Sequence, residues 1–273
     1  MRTEAIATPD SHVSPDMRAA IVQRLSEIEG RHGVRVLYAA ESGSRAWGFP
    51  SPDSDYDVRF IYVHPRDWYL SVNEARDVIE EGVDAMDFDV AGWDLRKALR
   101  LFLKANPALW EWLVSPIAYR DIDGVAQRLR DIAARGYSLK ALAHHYLSIT
   151  HEKERRTIAA KQTVKAKKYV YALRPLLALD WLRERETLPP MAMPEIMNGV
   201  TLPDDVRQAI LDLVAHKAAT PEGAPVQRIP LLDGWMDEAY GRGRAYAEGA
   251  PARKTDREEL DALFRQIVLA GDE

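Results

Sequence analysis

An α+β fold is predicted for this chain, with a mixed sheet flanked by helices over residues 1–135 and an α-helical domain over residues 136–273. Three observations carry that reading. Apolar, β-rich runs at residues 34–40 and 59–63 read as strands lying between helix signals. From about Tyr137 onward strand signals vanish and helix signals dominate. At 273 residues the chain is long enough for a sizeable core and, at about 100–200 residues per domain, for two of them.

The elements follow in order. Ser14-Pro15 opens the first helix, with the serine as N-cap and the proline in the first turn, where its missing N–H costs nothing. Met17, Ile21, Leu25 and Ile28 line its inner face, and Gly30 and Gly33 close it. Residues 34–40 form the first strand, ending at Gly43-Ser44, and residues 59–63 continue a strand that begins at Asp55. Residues 94–104 form a helix whose apolar set is Leu95, Leu99, Leu101 and Phe102. Asn106-Pro107 caps the next, which buries Leu109, Leu113 and Trp110. The most apolar helix, near residues 173–182, is interrupted by Arg174, Pro175 and Asp180. Residues 188–190 and 220–225 read as loops, and residues 256–270 as a closing amphipathic helix carrying Leu260, Leu263, Phe264, Ile267 and Val268. No internal repeat interrupts this order.

Composition narrows the chemistry. The chain has no cysteine, which excludes disulfides, Cys-ligated zinc and thiol catalysis. The N-terminus lacks an apolar signal core, and no stretch approaches the ~20 apolar residues of a membrane span, so a cytoplasmic location without membrane partners is expected. Net charge is −5, but it is unevenly spread. Between His151 and Arg174 stand eight basic residues against two acidic ones, a local +6 that leaves −11 for the rest. Lys161, Lys165 and Lys168 fall at i, i+4 and i+7, one face of a helix, with Tyr169, Leu173 and Leu176 toward a core. Such a stripe suits a phosphate backbone or an incoming triphosphate, and its bland alternative is a solvated helix face. His144, His145 and His151 lack a supporting carboxylate motif and read as packing or surface residues.

The densest chemical signal is Gly43-Ser44-Arg45-Ala46-Trp47-Gly48 followed by Ser54-Asp55-Tyr56-Asp57-Val58. A Gly-Ser between a strand and a helical turn can offer backbone N–H groups and a hydroxyl to an anion. Arg45 adds a guanidinium that pairs with phosphate oxygens, although a surface salt bridge is its rival reading. Asp55 and Asp57, two apart in an extended segment, project to one face and can hold hard, oxygen-seeking Mg²⁺, while Tyr56 points the other way. Trp47 reads as core before it reads as a base-stacking platform. The bland alternative for the whole is a Ser-, Pro- and Asp-rich hairpin loop.

Gly43-Ser44, a spacer of about ten residues, then Asp55-x-Asp57 resembles the motif of the DNA polymerase beta nucleotidyltransferase superfamily. The closer resemblance is to the RNA-repair branch associated with RNA ligases. It extends through Gly92-Trp93-Asp94-Leu95-Arg96-Lys97-Ala98-Leu99, Asn106-Pro107-Ala108-Leu109-Trp110-Glu111-Trp112-Leu113 and Lys167-Lys168-Tyr169-Val170-Tyr171-Ala172-Leu173-Arg174-Pro175, covering roughly residues 33–200. The resemblance implies a nucleotidyltransferase-type sheet and a third carboxylate on a neighbouring strand, because two Mg²⁺ ions about 3.5–4 Å apart need a bridging set that two aspartates do not complete. Asp89 is the preferred third acid. Asp87 shares its face if the segment is extended, and Asp84 reads as a loop acid.

The implied function is Mg²⁺-dependent, template-independent transfer of a nucleoside monophosphate from an NTP to a hydroxyl, with Mn²⁺ as the alternative ion. Asp55, Asp57 and Asp89 would be catalytic metal ligands, and Gly43, Ser44, Arg45, Lys165 and Lys168 would bind the nucleotide. The implied partners are the NTP, an RNA acceptor such as a cleaved tRNA end, and an RNA ligase or repair protein. Two other readings stay open: transfer onto a protein or small molecule, as in antitoxin-like and antibiotic-modifying relatives, and a non-catalytic binding module that keeps the fold.

Overall fold

The computed structural model describes residues 13–73, 75–83, 86–150, 158 and 161–270. Asp84 and His151 lie outside the described residues. Along the chain run α1 (Pro15–His32), β1 (Arg35–Glu41), α2 (Gly43–Trp47), β2 (Tyr56–Val63), α3 (Arg66–Tyr69), β3 (Val78–Val83), β4 (Phe88–Asp94), α4 (Leu95–Leu103), α5 (Pro107–Leu113), β5 (Ala118–Asp121) and α6 (Val125–Gly136). Then come α7 (Leu139–Ile149), β6 (Thr163–Lys165), α8 (Ala166–Arg185), α9 (Met193–Gly199), α10 (Asp204–Ala219), β7 (Pro225–Gln227), α11 (Pro230–Gly249) and α12 (Arg257–Leu269). Among the described residues no helix is long and apolar enough to cross a membrane.

Two compact units divide the chain, and they are not consecutive halves. One comprises residues 13–43, Asp55–Tyr137 and 254–270, and the other Ser44–Ser54 and Ser138–Arg253. Ser44–Ser54 departs from a single cut of the chain, and so does α12. For α12 the reason is packing: the Phe264 ring meets Tyr69 edge-on at 5.1 Å, and Arg35 donates to the Ile267 carbonyl at 3.4 Å.

In the first unit the sheet has the order β3-β4-β2-β1-β5. β2 and β4 are parallel, and the other pairings are antiparallel. The helix caps act as the residue types dictate. Ser14 accepts from the Met17 N–H at 3.2 Å, Gly33 closes α1 at φ 62°, Asp94 accepts from the Arg96 N–H, and Asn106 from the Leu109 N–H. Ile21, Leu25 and Ile28 of α1 pack with Val58, Phe60, Tyr62, Phe88 and Val90 in one core. Strand alternation therefore turns Asp57, Arg59, Asp89 and Trp93 to the opposite face, where Trp93 lies on Trp112 of α5 with centroids 3.9 Å apart. β3 and β5 carry no strand reading in the sequence. Both are short edge strands, and β3 is broken by charge and Gly82.

The second unit is mostly helical but corrects the expectation that strands vanish after Tyr137. Thr163–Lys165 pairs antiparallel with Pro225–Gln227, and the Ala166 N–H reaches the Ala224 carbonyl at 3.2 Å. This ribbon overturns the single basic helix face. Lys161 precedes β6, Lys165 ends it as the N-cap residue of α8, and of the three only Lys168 is helical. Cross-strand hydrogen bonding to residues 225–227 outweighs the helical spacing there. All three lysines are exposed. α8 itself runs twenty residues through Pro175, and Asp180 is buried between Arg183 at 3.1 Å and Arg242 at 2.9 Å.

At the carboxyl end of β2, the His64 ring stacks on Trp68 at 4.0 Å, and its buried Nε2 has no hydrogen-bond partner among the described residues. Burial, with His32 nearby, pushes its pKa from 6.5 down to about 4. The folded ring stays neutral where the unfolded one takes a proton, so its contribution to stability is full above pH 6.5 and is lost as pH falls toward 4. Urea unfolding of wild type and His64→Gln across this window should show the wild type losing ground to the variant as pH falls. A constant difference would contradict the assignment.

Candidate active site

The boundary between the compact units falls between Gly43 and Ser44 and again between Ser54 and Asp55, so the acids belong to the sheet-bearing unit. Asp57 and Asp89 are register partners on the parallel strands β2 and β4. The Arg59 guanidinium reaches both carboxylates, Asp57 Oδ1 at 3.0 Å and Asp89 Oδ2 at 2.7 Å, and also donates to the Asp89 carbonyl at 2.7 Å. Two carboxylates this close repel one another, and the shared guanidinium offsets that repulsion. Counted with Asp55, the three acids and Arg59 carry a net −2, which a divalent cation matches.

Asp55 stands exposed, one residue ahead of β2. Tyr56 turns toward the core as expected, its ring meeting Phe88 edge-on at 5.6 Å. Asp87 is not extended. It sits at φ 57° in the turn before β4, where its carbonyl accepts from the Tyr56 N–H at 2.8 Å. A left-handed residue breaks the period of two, so Asp87 does not share a strand face with Asp89.

The first residue of α2, Gly43, has to be a glycine. At φ 58°, a Cβ there would stand 1.9 Å from Asp57 Oδ2. The bare backbone lets the carboxylate come up against the chain, and the Ser42 N–H donates to the Asp57 carbonyl at 2.8 Å. Behind it, the wholly buried Glu41 accepts from the Asp57 N–H at 3.0 Å and from the Tyr119 hydroxyl. Asp57 is thus fixed at its backbone by Glu41 and at its side chain by Arg59.

Among the described residues no three His, Cys, Asp or Glu side chains form a ready-made metal cage. The oxygen-only donor set nonetheless suits a hard cation such as Mg²⁺, and the space a Cβ at Gly43 would fill lies beside Asp57. His144 is exposed and His145 half-buried, on the flank of α7.

In the helical unit, Ser44–Ser54 is closed on itself. The Ser44 hydroxyl, 3% exposed, donates to Ser54 Oγ at 3.1 Å, and the Arg45 guanidinium donates to the Ser54 carbonyl at 2.8 Å. The Ser51 N–H donates to the same Ser54 Oγ, and the Phe49 N–H to the Ser44 carbonyl. Trp47 is half-buried, edge-on to Tyr171 at 4.9 Å, with Arg174 4.7 Å from its ring. Packing therefore accounts for it. Glu41, Arg59 and Ser54 were not legible as site residues in the sequence. Only Arg59 carried a signal, because it lies two residues past Asp57 on the same strand face.

The family that the sequence matches defines a nucleotidyltransferase of the DNA polymerase beta type in an RNA repair pathway. The chain belongs to the RNA repair pathway DNA polymerase beta family, whose model matches residues 17–266. It is similar to the uncharacterized protein YcgL of Bacillus subtilis (strain 168), at 38% identity over 253 residues covering 93% of this chain and 95% of that one. Among solved structures, a nucleotidyltransferase-like protein from Exiguobacterium sibiricum 255-15 matches 84% of this chain and 75% of its own at 14% identity, with a TM-score of 0.30.

Gly43→Ala tests the close approach at Asp57. Added left-handed strain and the displaced carboxylate should together cost roughly 1–3 kcal/mol in chemical denaturation. A neutral result would mean that the backbone there relaxes freely.

Proposed function

We propose that the protein transfers a nucleoside monophosphate from an NTP to a hydroxyl at an RNA end, without a template. The observation that carries this reading is the in-register pair Asp57 and Asp89, held on one guanidinium beside the glycine that lets the backbone approach. Asp55, Asp57 and Asp89 would hold the metal ions, and Asp89 is preferred to Asp87 because it alone of the two is a register partner of Asp57. When bound, Mg²⁺ or Mn²⁺ supplies the positive charge that neutralises the triphosphate and favours ionisation of the attacking hydroxyl. Gly43, Ser44 and Arg45 would bind the β- and γ-phosphates. A bond forms between the acceptor oxygen and the α-phosphorus as the bond from that phosphorus to the bridging oxygen breaks. Pyrophosphate leaves, and the hydroxyl proton passes to solvent.

Arg59 has a second part in this reading. By spanning Asp57 and Asp89 it keeps both acids aimed at one place before the cation arrives, which limits the reorganisation that binding demands. Lys165 and Lys168, exposed at the start of α8, would contact the nucleotide or the RNA backbone, and an RNA ligase sealing the same end is the partner this reaction implies.

Incubation with each α-labelled NTP, Mg²⁺ and cellular RNA should place label in RNA. Label in protein instead would favour the antitoxin-like reading, and no transfer or pyrophosphate exchange would leave a binding module. Asp57→Asn and Asp89→Asn should each lower turnover by orders of magnitude with the fold intact, while Asp87→Asn should be mild. Near-normal turnover in the first two would sink the metal assignment.

The lysines are tested separately. If Lys161, Lys165 and Lys168 grip RNA, a triple Lys→Ala variant should show a smaller slope of RNA affinity against salt, by up to about one unit per lysine. A raised NTP requirement with unchanged RNA affinity would assign them to the nucleotide, and no change in either would leave a solvated surface.

A further inference from the structure

The inner face of α10 is written as an apolar stripe, Val206, Ile210 and Leu213, and the next position on it is Lys217. Lys217 is only 1% exposed. Burying an ammonium is expensive, and an aliphatic residue would fill the position without that penalty, so the lysine must be held by specific partners. Its Nζ donates to the Phe49 carbonyl at 3.0 Å and to Ser51 Oγ at 2.9 Å, and Ser51 Oγ donates back to the Lys217 carbonyl at 3.2 Å. The ammonium also lies 5.6 Å from the centroid of the Phe49 ring. Close by, the Glu222 N–H donates to Asp53 Oδ1 at 2.8 Å, a second tie on the same segment.

All of these ties end on residues 49–53, and that stretch is wired directly to Ser44 and Arg45. The Phe49 N–H holds the Ser44 carbonyl, and Ser54 collects the Ser44 hydroxyl, the Ser51 N–H and the Arg45 guanidinium. Backbone bonds from the Gly48 N–H to the Arg45 carbonyl, the Phe49 N–H to the Ser44 carbonyl and the Ser54 N–H to the Ser51 carbonyl shape the segment from within. A charged donor reaching in from α10 adds a constraint from outside it, and charge-assisted hydrogen bonds are the stronger kind.

We propose that Lys217 is a positioning residue for nucleotide binding, whose ammonium holds Phe49 and Ser51 so that Ser44 and Arg45 are set in the conformation that meets the triphosphate. The inference rests on the reading of Ser44 and Arg45 as triphosphate ligands. It assigns Lys217 no contact with substrate. Methionine at 217 keeps the length and burial of the side chain but leaves the Phe49 carbonyl and the Ser51 hydroxyl without their charged donor. Arginine keeps the charge.

The test uses the full chain as wild type, Lys217→Met, Lys217→Arg and Ile210→Val, the last a packing change on the same face of α10. Two quantities are read: the dissociation constant for NTP with Mg²⁺, and amide hydrogen exchange across residues 44–54. Lys217→Met should speed exchange in that segment and weaken NTP binding by about tenfold or more. Lys217→Arg should recover part of both. Ile210→Val should lower thermal stability and leave both unchanged. Unaltered exchange and affinity in Lys217→Met would overturn the proposal, as would an equal loss of affinity in Ile210→Val. If wild type binds no NTP while exchange still rises in Lys217→Met, the nucleotide reading itself has failed and the positioning role falls with it.

Discussion

The parallel pairing of β2 with β4 is the constraint on which the rest of the sheet-bearing unit depends. Parallel strands need a crossover rather than a tight turn, and here the crossover passes through α3 and the edge strand β3 before returning as β4. That route lets two acids far apart in sequence arrive side by side. Asp57 and Asp89 share a register position, and the Arg59 guanidinium between them converts a repulsive pair into a connected one. The core on the other face of the same strands, built from Phe60, Tyr62 and Val90 against α1, holds that register by burial.

Buried charge does comparable work in the helical unit. Arg174 is 3% exposed and donates twice to the Met191 carbonyl, so that it joins the chain after α8 to the ring of Trp47. Asp180 ties α8 to α11 through Arg242, whose own pKa is raised chiefly by that hydrogen bond. Each such group is costly alone and tolerable only with its partners in place. Removing one partner from such a network would leave the other polar group buried and uncompensated.

What was legible in the sequence was local. Ser14, Asp94 and Asn106 announced three helix starts because capping needs only the next few residues, and the runs after Gly33 and Asp57 announced β1 and β2 through their apolar content. The motif acids were visible for the same reason. Partners made by the fold were not. The β6–β7 ribbon joins segments some sixty residues apart, and without β7 the stretch from Lys161 to Lys168 keeps a helical spacing that the chain does not adopt. Glu41 carried no reading in the sequence, lying just past the strand expected at residues 34–40, and Asp87 failed as a strand residue because of a left-handed turn that nothing in its neighbours advertises. Family resemblance pointed to the segment that carries both acids, and of the two only Asp89 stands in register with Asp57, Asp87 lying in the left-handed turn before β4.

Because strand side chains alternate, the two ends of β4 are locked in phase. Asp89 must share a face with Arg59, and four residues on Trp93 must lie against Trp112 on that same face, while Gly92 between them stays bare because a Cβ would run into the Phe60 ring. Losing or gaining one residue anywhere between Asp89 and Trp93 would send one of them to the wrong side of the sheet. Length variation among sequences of this kind should therefore collect in the turns, and inside this strand it should come in twos or not at all.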